Sequence, residues 1–235
     1  MGELIGIRVS QVRIFNPDEL PFNYLTLDAN IKRINKEFSF RQAMILSPQQ
    51  TGDLLGGVTF FGGIIVSNSG QSVIEQIIIE SRRVIIAVAG DSKAADGVFG
   101  RLKELLKEFD QRQNKPPLES IVTTQDTTTI MRLPFPISKL FSTGSLGVFS
   151  KELDTRVEQP LAKARIFPSS IKFRVSYYDV PESFKAKNVE LLDKEIVIEY
   201  RVGTAIEENT FFISSPSQSE IHLEMVAFLE STFGT

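Results

Sequence analysis

One serine and one histidine are the residues of this chain that most invite a chemical reading. Ser92 closes the run VIIAVAGDS at 84–92, where a β-rich stretch meets a glycine and a turn, and His222 is the chain's single histidine. A serine nucleophile needs a base to take its proton and donors to hold the oxyanion. Asp91 and Ser92 are also the residue types that cap a helix, and an amphipathic helix is expected directly after them. Capping is therefore the role read for this pair. His222 shares helical spacing with Met225, Val226 and Leu229, which predicts a packed histidine on an apolar helix face.

The nine residues 84–92 resemble the first block of the GDSL (SGNH) esterase family, whose serine is the nucleophile. The resemblance implies a base as well, a histidine lying three residues after an aspartate near the C-terminus. His222 has the right general place, but Ser219 stands where that aspartate would be. The family's Gly-x-Asn-Asp block has no counterpart, because no Asn-Asp pair occurs in the chain. A serine hydrolase using Ser92 and His222 is accordingly the alternative reading, and catalytic residues are otherwise expected to be absent.

Two charged patterns remain. Glu80 and Arg82, and likewise Glu199 and Arg201, stand two apart in β-rich runs, so each pair would share one strand face. Lys163 and Arg165 alternate with apolar or small residues, as do Lys172 and Arg174 across a turn expected at 168–170. A hairpin there would gather all four cations on one sheet face, the candidate for binding an anion or nucleic acid. The net charge of −3 gives no general attraction to a polyanion, so a solvated face is the favoured reading.

Composition removes whole classes of chemistry. With no cysteine, disulfides, thiolate catalysis and cysteine-based metal sites are excluded. With one histidine, a multi-histidine metal site cannot be built within one chain, and no metal or cofactor is expected. The glycine-dense segment LLGGVTFFGGIIVSNSG at 54–70 lacks the Gly-Lys-Ser/Thr of a phosphate loop. Its glycines are read as bends, bulges or close backbone approaches. No stretch has the roughly 18 uncharged apolar residues of a membrane span, and residues 1–15 lack the pattern of a secretory signal. A soluble cytoplasmic chain without a membrane partner is expected.

The elements that must position these residues are clearest at 73–109: two β-rich runs, a short turn, then a helix with Ala95, Val98, Phe99, Leu102, Leu105, Leu106 and Phe109 in one stripe. Strands are also predicted at 4–14, 24–34, 38–46, 121–133, 195–202 and 210–214, with a hairpin connection at 35–37 and a loop at 47–52. A terminal helix carries Ile221, Met225, Phe228 and Leu229, with Ser217 and Glu220 at capping-box spacing. QIIIESR at 76–82 and EIVIEYR at 195–201 echo each other, and each precedes a second strand and an amphipathic helix. The expected fold is therefore α+β: two related, largely antiparallel halves, 1–115 and 116–235, divided near Pro116-Pro117, each with a helix packed on its sheet. The function expected is a non-catalytic binding or assembly module, its partner a protein or a second copy of itself.

Overall fold

The computed structural model describes residues 2–51, 53–67, 70–141, 148, 158–159, 162–163, 169–176 and 193–234. Strand β1 (Glu3–Ile14) is followed by helices α1 (Phe22–Leu25) and α2 (Asp28–Phe38), strand β2 (Gln42–Leu46) and the short helix α3 (Pro48–Thr51). Strands β3 (Gly57–Ser67), β4 (Gly70–Glu80) and β5 (Arg83–Ala89) then lead into helix α4 (Ser92–Phe109). Strand β6 (Val122–Arg132) opens the second part of the chain. After the small pair β7 (Glu158–Gln159) and β8 (Ala162–Lys163) come β9 (Ser170–Val175), β10 (Lys194–Tyr200), β11 (Thr210–Ser215) and helix α5 (Ser219–Phe233).

Nine strands form one antiparallel sheet in the order β2-β3-β4-β5-β1-β6-β11-β10-β9. The class is thus mixed α+β. The sheet is continuous across Pro116-Pro117, because β1 and β6 pair along their length from Glu3↔Arg132 to Ile14↔Val122. Alternation sends Val9, Val84, Ile86, Val88, Ile77 and Phe60 to one side, where they meet the stripe of α4 in a single cluster with Ile34 and Phe38 of α2. A second cluster joins Met131, Phe211, Ile213 and Ile198 to Val226 of α5. Among the described residues, no helix is long and apolar enough to cross a membrane.

The strand, strand, helix reading of 73–109 corresponds to β4, β5 and α4. The reading of 24–34 as a strand is corrected: these residues run through α1 and most of α2. Tyr24, Thr26 and Ile31 suggested a strand by residue type, but Ile31, Ile34 and Phe38 follow helical spacing, and the last two are buried. Residues 35–37 are accordingly the final turns of α2 rather than a hairpin connection. Ser39 adopts the left-handed conformation (φ 52°) and stops the helix, so β2 begins at Gln42. The loop expected at 47–52 holds α3.

The glycine-dense segment holds a left-handed residue and a close approach rather than a break in the β3–β4 register. Gly62 has φ +66°, in the left-handed region open to glycine, while the β3–β4 register stays constant across it from Phe61↔Gln76 to Gly63↔Ile74. A Cβ on Gly63 would overlap the ring of Phe40.

Asp91 is the N-cap of α4, its Oδ1 accepting from the Ala94 amide at 2.9 Å. Asp91→Ala is expected to destabilise the chain by about 1 kcal/mol, read by urea denaturation.

Candidate functional site

Buried polar residues gather where the two apolar clusters meet, along β1, β6 and β11 and at the starts of α4 and α5. Ser92 is the first residue of α4 and Ser219 the first of α5. The Ser219 amide donates to Ser92 Oγ at 2.7 Å, and the Ser92 amide donates to Ser219 Oγ at 3.0 Å. Each helix therefore borrows a hydroxyl from the other to satisfy an amide that has no partner inside its own helix. Gln125 Nε2 adds a third contact, donating to Ser92 Oγ at 2.6 Å. The box expected between Ser217 and Glu220 is replaced by this exchange, and Ser217 Oγ instead lies 2.6 Å from Ser215 Oγ.

His222 lies fully buried in the same band. Its Nε2 is 2.8 Å from Thr129 Oγ1 and its Nδ1 is 2.7 Å from Ser215 Oγ. A neutral imidazole suits this setting, with one nitrogen donating and the other accepting. Burial pushes its pKa down from 6.5 to about 4. Ser92 and His222 thus share a neighbourhood but no hydrogen bond, and the amide nearest Ser92 Oγ already donates to it.

The basic set is distributed differently. Lys172 and Arg174 lie on β9, which pairs with β10 and sets Arg174 opposite Glu195. Lys172 Nζ is 3.5 Å from Glu195, and Arg174 Nε donates to Asp193 at 2.7 Å. The backbone of Lys163 pairs with that of Glu158 in the β7–β8 ribbon, and Arg165 lies outside the described residues. The strand-face pair expected of Glu80 with Arg82 is formed with Arg83 instead. Arg83 Nε and Nη2 donate to the buried Glu80 carboxylate, at 2.6 and 2.8 Å, while Arg82 Nε points to the carbonyl of Phe15.

Beside the serine exchange is a cleft of about 730 Å³ lined by Gln11, Arg13, Asp96, Thr123, Gln218 and Ile221. Gln11 Nε2 and Arg13 Nη2 both donate to Asp96 Oδ1, at 2.8 and 2.6 Å, and Arg13 Nε donates back to Gln11 Oε1 at 2.9 Å. The Arg13 guanidinium lies 4.1 Å over the Phe99 ring. Burial draws its pKa down while Asp96 opposes that shift. The cleft floor is therefore polar but internally neutralised. Its signal in the sequence is slight: Gln11 and Arg13 hold inward positions of β1 where alternation calls for apolar residues. Among the described residues, no group of three or more His, Asp or Glu side chains is placed to hold a metal ion.

No protein-family model matches the chain, and no curated protein matches it.

Two outcomes follow from the buried band. Ser92→Ala leaves two buried donors, the Ser219 amide and Gln125 Nε2, without their acceptor. A loss of roughly 2–4 kcal/mol is expected in urea denaturation, more than a simple cap would cost. Because the folded pKa of His222 lies below its unfolded value, its contribution is fully present above pH 6.5 and lost as pH falls towards 4. That contribution is on the order of 3 kcal/mol, and His222→Gln should flatten the fall in denaturation free energy across this window.

Proposed function

We propose that this chain is a non-catalytic binding or assembly module, acting through protein contacts and composed of two related α+β halves. The observation that carries the reading is the commitment of its only serine–histidine candidate to structural hydrogen bonds. Ser92 Oγ holds an amide from α5 and the side chain of Gln125, and both ring nitrogens of His222 face hydroxyls. A histidine whose pKa lies near 4 and that does not touch the serine is poorly placed to take its proton at neutral pH. The nucleic-acid alternative loses support from the pairing of Lys172 and Arg174 with carboxylates, which spends the charge a phosphate would need. A cytoplasmic setting belongs to the same reading.

The relation between the halves is supported by order rather than by letters. Outward from the central β1–β6 pair, the sheet runs β5, β4, β3, β2 on one side and β11, β10, β9 on the other. Each of β11, β10 and β9 then has a counterpart at the same place in the chain order, β2 having none among the described strands, and α4 and α5 follow β5 and β11. The echoed segments fall in β4 and β10, each third from the centre. Ile86 lies six residues before Ser92 and Ile213 six before Ser219. Their partners are Ile77 and Ile198, both buried, which supports reading these two as the counterparts. The letter match would superpose Ile77 on Ile196 instead, two residues out of register and still on the same strand face.

The functional test is hydrolysis of p-nitrophenyl acetate by the wild-type chain, Ser92→Ala and His222→Gln. The expected result is no turnover that either substitution removes. Ester turnover abolished by Ser92→Ala in a chain that keeps its fold would sink the non-catalytic reading.

A further inference from the structure

The sheet has two outer strands, β2 and β9, and they are built in opposite ways. An exposed strand edge carries unpaired backbone donors and acceptors, and proteins usually blunt it with charge, proline or a bulge. The β9 edge presents Lys172 and Arg174. The β2 edge, Gln42–Leu46, reads QAMIL: no charge, no proline and no glycine. Its Met44 and Ile45 are 41% and 67% exposed. The turn that returns the chain to β3 abuts the end of this strand at Leu46, and it carries Leu54 and Leu55, 93% and 61% exposed. No described strand pairs with the outer side of β2.

We propose that this edge is an assembly surface whose occupant is the β2 strand of a second copy of the chain, added antiparallel about a twofold axis through Met44. The inference rests on the reading of the chain as an assembly module and supplies its partner. The choice of a second copy comes from the strand itself. Folded back on its own image about Met44, it sets Gln42 against Leu46, Ala43 against Ile45 and Met44 against Met44. Every pair stays on one sheet face and no like charges meet. Two sheets then become one continuous sheet across a closed, self-complementary contact. A foreign peptide would find no charge on β2 by which to be selected. The same operation on β9 about Phe173 crowds Lys172 against Arg174 across the axis and would disturb the ion pairs they make with Glu195 and Asp193, so that edge is less suited to self-pairing. A five-residue edge buries little area, so the dimer is a weak one that forms with rising concentration.

Sedimentation velocity of the full chain across the micromolar range tests this. The expected result is a shift from monomer towards dimer as concentration rises. Met44→Lys, and separately Met44→Glu, should each hold the chain monomeric by placing like charges across the axis, with unchanged thermal melting. An equimolar mixture of the two variants should restore a dimer, which neither misfolding nor a contact elsewhere on the surface would do. A wild-type chain that stays monomeric throughout, or a dimer that survives both substitutions, overturns the inference. Either result leaves the non-catalytic reading to be decided by ester hydrolysis.

Discussion

Two serine side chains, each holding the first amide of the other's helix, tie this molecule together at its centre. A helix start has amides with no partner of its own, and where it is buried they must be satisfied by something brought from elsewhere. Ser92 and Ser219 supply one another, and neither can do so unless α4 and α5 arrive at the same point over β1 and β6. The arrival is directional, since a hydroxyl must lie within hydrogen-bond reach of a particular N–H. The apolar clusters on either side set no such precise register, because burial rewards area in any direction. The cores provide most of the driving force, and the serine exchange fixes how the two helices meet.

The same band explains why a catalytic reading of Ser92 and His222 is attractive in the sequence and weak in space. Buried hydroxyls, amides and a lone imidazole are the parts from which active sites are made, and they are also the parts that satisfy a dry polar junction. What separates the two uses is vacancy. In a site, a serine oxygen is left facing substrate, whereas here Gln125 and the Ser219 amide hold it. The cleft alongside shows the same economy, with Arg13, Gln11 and Asp96 turned towards one another.

How much of this was legible in the sequence depends on the distance over which each residue acts. The run through β4, β5 and α4 is readable because its signals are local: β-branched alternation, a glycine-containing turn, a cap and a 3.6-residue stripe. The helices α1 and α2 were hidden by composition, as Tyr24, Thr26 and Ile31 weigh towards a strand while the spacing of Ile31, Ile34 and Phe38 tells otherwise. Asp91 as a cap depends only on Ala94, three residues away. The partners of Gln11 and Arg13 lie 85 and 83 residues away in Asp96, and Ser92 finds Ser219 at a separation of 127. No pattern within a window contains such pairs. What could be seen is the anomaly they leave behind, polar residues at inward positions of a strand.

The exchange between Ser92 and Ser219 also bears on the order in which the chain loosens. Helix starts are ordinarily among the first places where amide hydrogens trade with solvent, because their N–H groups lack an intrahelical acceptor and fraying exposes them cheaply. Here the leading amide of each helix is held by a buried oxygen belonging to the other. Releasing either one requires the two helices to part, and with them the junction of the two clusters. The beginnings of α4 and α5 are then among the last positions to open, and the far ends, where α4 runs out at Phe109 and α5 at Phe233, open before them.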